Sequence, residues 1–300
     1  MYVPIGGVEQ YLRIGGSGPI LLYVHGGGGG VSRPAAAAWA PWEEHFTVVH
    51  WDQRGAGRTF NRNGAEKTGR VTMDRLVRDG IEVTEFLIKH LNQPKVLLVA
   101  HSFGSAIGVM MLHRRPDLFS AYVGTGQFVN AQRTFEIAYR RSLARAEALG
   151  HDDAVTLRDL GLPPYTDVDK VRVFIALRDK YAEDGIGDPI LPRPTPKALD
   201  YTEDDKRMMK EGLTFTRSQT VGEFSTQDLP SLGTKFSIPI FFFHGVLDPS
   251  TPIELAEEFF AMIEAPHKEF VRFEGYHHFF QVNRPDDFLR ELLARVRPLI

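Results

Sequence analysis

The stretch from Lys95 to Gly108 restricts what this chain can fold into more than any other. Val96 to Ala100 is an unbroken apolar run, which predicts a strand buried on both faces. Ala106, Ile107, Val109, Met110 and Leu112 then recur at helical spacing. Between the two lies Ala100, His101, Ser102, Phe103, Gly104: a serine flanked at two residues on either side by small ones. A chain that passes from strand to helix on a serine must turn sharply, under strain, and present the hydroxyl above the strand end. The flanking residues must be small because the two backbones nearly touch there. Ala100 and Gly104 meet that need, and Ser105, Ala106 and Gly108 keep the following turns slim. The helix start also supplies unpaired N–H groups and a positive dipole end beside the hydroxyl. A serine that merely caps a helix after a buried strand fits the same residues, so the rest of the chain has to decide.

Around this stretch, apolar runs alternate with helical patterns. Strands are expected at Tyr11–Ile14, Ile20–His25, Phe46–Trp51, Phe119–Val123, Pro239–His244 and Lys268–Phe273. Helices are expected at Thr72–Leu91, Pro252–Ile263 and Asp286–Val296. Each strand is continuously apolar, which implies a mostly parallel sheet covered by helices on both faces. Residues 127–235 break the alternation. They carry no convincing strand, only helical patterns at Gln127–Leu149, Asp167–Tyr181 and, more weakly, Glu203–Lys210, plus a Pro/Gly-rich connector at Gly185–Pro196. The chain therefore divides into a first core part (1–126), an inserted helical cap (127–235) and a second core part (236–300). Such a cap would overhang the C-terminal sheet edge, where open α/β sheets bind ligands.

A nucleophilic serine needs a base and a group to orient it, on other strand ends of the same rim. Two post-strand loops qualify, one carrying Asp248 and the other carrying His277 and His278. The chain order Ser102, Asp248, His278 is that of a serine triad on a parallel sheet. Asp248 would accept from one imidazole nitrogen while the other takes the Ser102 proton; the plainer reading makes it an acid ahead of the helix at Pro252. An oxyanion needs donors already in place. Phe103 N–H at the helix start is one, and Gly27, in the run Gly26–Gly30 after the second strand, is assigned as the other. That run lacks the Lys-Ser/Thr of a phosphate loop, although a plain flexible turn fits it too.

Four stretches together resemble the α/β-hydrolase superfamily and, within it, the prolyl aminopeptidase (proline iminopeptidase) group. They are His25–Gly29, similar to that group's His-Gly-Gly-Pro-Gly; Trp51–Gly57, which reads Trp-Asp-Gln-Arg-Gly-Ala-Gly; Ala100–Gly104; and His278 followed by Pro285 and Phe288. The resemblance implies an α/β-hydrolase fold and a serine that attacks a substrate carbonyl. It also implies an oxyanion held by the second glycine of the motif and by the residue after the serine, and cap acids that hold a free N-terminus. His278 rather than His277 matches by its offset to Pro285. Gly28 stands where the group has Pro, Ala100 where the first glycine is usual, and His277 where a glycine precedes the catalytic histidine. No cap residue is matched individually; Glu136 and Glu223, both set apart from charge runs, are the acids expected to hold an ammonium. Phe128, Phe135, Phe174, Tyr181, Phe215 and Phe224 are expected in the cap core, Glu203–Asp205 on a solvated face, and Asp52 and Arg54 in support of their loop.

Other functions are disfavoured by composition. A net charge of −3 and a pI near 6.4 suggest no polyanion partner, so no nucleic acid is expected. The absence of cysteine excludes thiolate metal sites and a Cys nucleophile, and no His grouping has ligand spacing, so neither metal nor cofactor is expected. No 18-residue apolar run and no signal-peptide pattern is present, so no membrane association and a cytoplasmic location are expected. The expected activity is a cofactor-free serine hydrolase acting on a small-molecule or short-peptide substrate, most simply a prolyl aminopeptidase-like enzyme. An esterase or lactonase with the same triad and a neutral pocket is the alternative within enzymes, and a non-catalytic ligand receptor the alternative outside them. Oligomeric state is left open.

Overall fold

The apolar runs form strands because a parallel sheet between two helical layers buries both of their faces. The computed structural model describes residues 1–31, 36, 38–182 and 202–300; the expected connector at Gly185–Pro196 lies outside the described residues. The chain begins with β1 (Tyr2–Ile5), β2 (Val8–Gly16), β3 (Ile20–Val24) and β4 (Thr47–Asp52), then α1 (Gly57–Thr68) and α2 (Met73–Leu91). β5 (Val96–Ser102) runs straight into α3 (Phe103–Arg114), and β6 (Phe119–Gln127) follows. Next come α4 (Ala131–Ala148), α5 (Asp153–Leu160), α6 (Val168–Tyr181) and α7 (Glu203–Phe224). The alternation resumes with β7 (Ile240–Gly245), α8 (Ile253–Met262) and β8 (Lys268–Phe273), and ends with α9 (Phe280–Asn283) and α10 (Pro285–Glu291).

The sheet order is β1-β2-β4-β3-β5-β6-β7-β8. β2 runs antiparallel to both of its neighbours, and all other pairs are parallel. From β3 the chain goes first to β4 on one side and later to β5 on the other. The loops that leave β3 and β5 therefore diverge, opening a crevice at the C-terminal ends of these two adjacent strands. Alternate residues of the central strands face opposite layers. Leu22, Val24, Leu98 and Ala100 pack with residues of α2 and α3, whereas Leu21, Tyr23, Leu97 and Val99 pack with Trp39, Trp42 and Phe288.

Between β6 and β7 the described residues are helical apart from loops and two isolated bridges, one pairing Lys235 with Glu264 and the other Asn130 with Asp228. The second bridge closes the base of the segment. Ala131 N–H donates to Gln227 O (2.9 Å), Leu229 N–H to Val129 O (2.8 Å), and Asn130 Nδ2 to Asp228 Oδ1 (2.9 Å). Tyr139, Leu157, Phe174 and Tyr181 make a separate apolar cluster, with Phe135 packed on it. The other three aromatics expected there lie elsewhere: Phe128 belongs to the sheet core, and Phe215 and Phe224 pack against it. Phe128 directly follows β6, and α7, which carries Phe215 and Phe224, packs on α1 and the loops after β3 and β4 rather than chiefly with α4–α6.

α7 is also much longer than its apolar pattern suggests, and Asp205 is not on a solvated face. Its carboxylate accepts from Arg58 Nε (2.9 Å) and Nη2 (3.1 Å) of α1 and closes a capping box with Thr202. Burial alone would raise the Asp205 pKa; the hydrogen bonds from Arg58 and Thr202, with the charge of Arg58, together outweigh it and bring it down to about 2.

Candidate active site

β5 places Ser102 at the start of α3 with φ +54°, one of two non-glycine residues at positive φ among those described. A side chain in this region is strained and persists only where the surroundings enforce it. Two close approaches do so. A Cβ on Gly104 would lie 2.3 Å from Val24 O, so α3 packs onto the end of β3 with no room for a side chain. A Cβ on Gly108 would meet the Ala100 methyl at 2.9 Å. Ser102 occupies the N-cap position, yet its side chain makes no capping hydrogen bond. Its Oγ lies 3.0 Å from His278 Nε2 instead.

His278 Nδ1 lies 2.7 Å from Asp248 Oδ2. His278 stands in the loop after β8 and Asp248 in the loop after β7, so the ends of β5, β7 and β8, on one rim of the sheet, supply the three side chains. Asp248 is 3% exposed and accepts from four donors. Ser250 N–H (2.8 Å) and Thr251 N–H (2.9 Å) reach Oδ1, while Thr251 Oγ1 (2.7 Å) and His278 reach Oδ2. Burial by itself would raise its pKa; the charge and hydrogen bond of His278, then His244 and the Thr251 backbone, outweigh it and hold the carboxyl below the usual range. An ionised Asp248 accepts a hydrogen bond from Nδ1–H and so keeps the ring proton there, which leaves the Nε2 lone pair toward Ser102 Oγ. His277, next to it in sequence, has no hydrogen bond to Ser102 or Asp248, and among the described residues its buried Nδ1 has no hydrogen-bond partner.

The loop after β3 closes the site from the other side of the crevice. Gly27, Gly28 and Gly29 all have positive φ, a conformation that side chains disfavour. A Cβ on Gly26 would lie 2.9 Å from Ser102 Cβ, and one on Gly28 would face the Phe103 ring at 3.6 Å. Phe103 N–H, in the first turn of α3, has no acceptor within the helix. Gln53, in the loop after β4, braces this arrangement: its N–H donates to His25 Nε2 (3.3 Å) and its Nε2 to His25 O (2.9 Å). As expected, the neighbouring polar residues hold their loop. Arg54 Nε pairs with buried Asp79 (2.7 Å), and Asp52 Oδ2 accepts from Arg58 N–H (2.9 Å).

Three further histidines surround the site, each held neutral. His25 Nε2 accepts from Gln53 N–H, so its Nδ1–H donates to Gly26 O (3.0 Å); burial lowers its pKa to about 4. His244 has the same one-in, one-out pattern, with Nδ1 accepting from Gln127 N–H (3.3 Å) and Nε2–H donating to Thr251 O (2.8 Å). Burial, foremost, lowers its pKa also. His101, whose ring lies 4.5 Å from the His278 ring and tilted by 46° to it, donates from Nδ1 to Thr125 O (3.0 Å). Burial and then the charge of His278 push it well below the ordinary value.

Neither expected cap acid hydrogen-bonds to a triad residue. Glu223 Oε2 accepts from Met73 N–H (2.8 Å) and so caps the start of α2. Glu136 accepts from Gln132 (2.9 Å), one turn earlier on its own helix. Sequence reasoning missed two features. Phe224 closes on Phe103 (5.0 Å) and Phe128 (4.5 Å), forming an aromatic wall beside the serine. Arg217 of α7 donates from Nε to Gly27 O (3.3 Å). Neither shows in the pattern, because α7 reaches the site by tertiary packing. Among the described residues no group of His, Asp and Glu is arranged to hold a metal, and no helix is long and apolar enough to cross a membrane.

The model of the family described as "Serine aminopeptidase, S33" matches residues 17–283. The chain is similar to the probable aminopeptidase YbaC of Bacillus subtilis (strain 168), 28% identical over 98% of this chain and 94% of that protein. Among solved structures it resembles VinJ (TM-score 0.71, 17% identical, covering 100% of this chain and 98% of that one). It also resembles a proline iminopeptidase from Mycobacterium smegmatis (TM-score 0.68, 19% identical, 99% and 97% covered). These likenesses match the expected fold, and the family match sets aside a non-catalytic receptor.

Proposed function

We propose, from the premise that the chain belongs to the serine aminopeptidase family S33 of α/β-hydrolases, that it releases an N-terminal residue from short peptides through an acyl-enzyme on Ser102. The observation that carries this is the unbroken line Ser102 Oγ, His278 Nε2, His278 Nδ1, Asp248 Oδ2, with gaps of 3.0 and 2.7 Å. Ser102 Oγ attacks the scissile carbonyl carbon and its proton passes to His278 Nε2. The imidazolium, stabilised by Asp248, then protonates the departing amine. A water that gives its proton to the same Nε2 attacks the acyl-enzyme and frees Ser102. The backbone N–H groups of Phe103 and Gly27 receive the charge that develops on the carbonyl oxygen; one such donor is worth roughly 100- to 1,000-fold in kcat.

In this reading residues 127–235 form a cap, and Glu136 receives the substrate ammonium, since burying that charge without a carboxylate is costly. The second reading is an esterase or lactonase. The commitment of Glu223 to the start of α2 favours it, because one expected ammonium partner is thereby occupied. Turnover of prolyl and alanyl arylamides, each with free and acylated amine, beside simple aryl esters, separates the two. Faster cleavage of the free amine is expected, and Glu136→Gln should raise its KM 10-fold or more, roughly 1.4 kcal/mol. Esters or N-blocked amides turned over as well as the free amine would replace the peptidase reading with the esterase one.

A further inference from the structure

α7 brings to the oxyanion loop a cation for which the chemistry above has no use. Arg217 donates from Nε to Gly27 O (3.3 Å), one residue along from Gly26, which touches Ser102. A Cβ on Gly27 would meet Leu213, one helical turn before Arg217, at 3.9 Å, so α7 lies directly against this loop. A guanidinium has five N–H donors in a planar fork. Among the described residues the single recorded partner of Arg217 is that neutral carbonyl, and no carboxylate pairs with it. α6 adds a second guanidinium close by, Arg178, but this one is paired with Asp179 (2.6 Å), with side-chain exposures of 16% and 28%. Two positive charges thus share one negative charge around Arg217, beside the Gly27 loop. Burial, then the charge of Arg178, lower the Arg217 pKa, and Asp179 offsets only part of this. Arginine does not deprotonate in proteins, so the imbalance is best relieved by an incoming anion. The planar fork suits a carboxylate, which it binds through two parallel hydrogen bonds.

We propose that Arg217, flanked by Arg178, is a subsite for a carboxylate group of the substrate. The inference rests on the reading of Ser102 as nucleophile. If the substrate is a short peptide, the group is the free α-carboxylate of the residue that leaves. The subsite is then a determinant of length and charge, favouring dipeptides over longer or amidated ones.

The test compares kcat/KM within substrate pairs that differ only in this charge: a dipeptide acid against its amide, and 4-nitrophenyl hemiglutarate against 4-nitrophenyl valerate. The wild-type enzyme should prefer the anion by 10-fold or more in the pair it turns over. Arg217→Gln should reduce the anion-to-neutral ratio at least 10-fold, mainly through KM. Arg217→Lys should restore part of it, and Arg178→Gln should lower it less. Thermal unfolding of each variant confirms that the ratio is read on folded enzyme. If Arg217 only holds the Gly27 loop in place, both members of a pair lose activity equally and the ratio stands; that result overturns the proposal. The two readings fail separately. Peptides cleaved with acid and amide alike would remove the subsite and keep the peptidase. An anion preference confined to the ester pair, with no peptide cleaved, would keep the subsite and remove the peptidase.

Discussion

Gly104→Ala tests whether the close approach of α3 to the end of β3 sets the active geometry. The added Cβ would lie 2.3 Å from Val24 O and 2.4 Å from His25 O, both main-chain atoms, whereas ordinary contact begins near 3.4 Å. To relieve this, the two backbones must separate by about 1 Å, and neither obstacle is a side chain that can rotate aside. Overpacking of this kind costs about 1–3 kcal/mol, or roughly 2–4 °C in Tm per kcal/mol. The functional cost is larger. His25 leads directly into Gly26 and Gly27, so the displacement moves the oxyanion loop relative to Ser102 Oγ. A 1 Å error in a catalytic arrangement costs about 100-fold. The variant is therefore expected to fold, to melt a few degrees lower, and to lose about 100-fold in kcat on an activated ester. Its labelling by a fluorophosphonate should slow in parallel. Gly222→Ala is the control: it sits near the end of α7 with open space at its Cβ, and should keep kcat while gaining up to about 1 kcal/mol of stability. A folded Gly104→Ala enzyme with kcat within threefold of wild type would refute the argument.

Other outcomes follow from the same geometry. Ser102→Ala should abolish fluorophosphonate labelling and cut turnover by orders of magnitude with little change in Tm; labelling that persists on another serine would remove the assignment. His278→Ala should match Ser102→Ala, whereas His277→Ala, with no bond to Ser102 or Asp248, should keep substantial activity in the same ester assay. Stability should fall as pH drops from about 6.5 toward about 4. His25, His101 and His244 are neutral in the fold with lowered pKa values, so the unfolded chain takes up protons first. Their contribution is complete above the unfolded value and lost on the acid side. His25→Gln should flatten that slope in Tm against pH, and an unchanged slope would show that His25 does not carry it.

The catalytic half of this molecule was legible because its constraints are local. Ile20–Val24, Val96–Ala100 and 240–243, in β3, β5 and β7, are apolar without interruption, since each strand lies between two helical layers. Ser102 sits between small residues that a backbone contact requires, and Asp248 and His278 follow strands whose ends must share one rim. The segments that were misread answer to distant partners. β1 is a short edge strand containing Pro4, held by pairing with β2. α1 contains Asn61, Asn63 and Gly64, the last with non-helical backbone, and α5 has one short turn-pair of apolar residues. α7 carries Gly212, Gly222 and a series of Ser and Thr, poor helix formers. Gly212 is there because a Cβ would lie 2.7 Å from Gly55 O, and Thr216 because its Oγ1 donates to that same carbonyl (3.0 Å). Such residues read as weak helix until the loop they pack against is known. For the same reason Arg217 was invisible as a candidate.

The bridge at Asn130 and Asp228 bears on how such a chain can diversify. These residues are 98 positions apart and their side chains meet at 2.9 Å. Closing a loop of that length costs about 4 kcal/mol in chain entropy, and the cost grows only slowly with further residues. To the β6–β7 pair, everything beyond the bridge is one closed stitch, whatever its length or contents. Insertions, deletions or wholesale replacement between residues 131 and 227 can therefore accumulate without shifting strand register. The seam such a transplant must reproduce lies mostly along α7: Gly212 and Thr216 against Gly55, Asp205 against Arg58, Arg217 against Gly27, Glu223 against Met73 and Phe224 against Phe103. If the segment between Asn130 and Asp228 is the cap proposed above, selectivity and bond cleavage lie on separately replaceable lengths of one polypeptide, so a lineage can change what it eats without relearning how to bite.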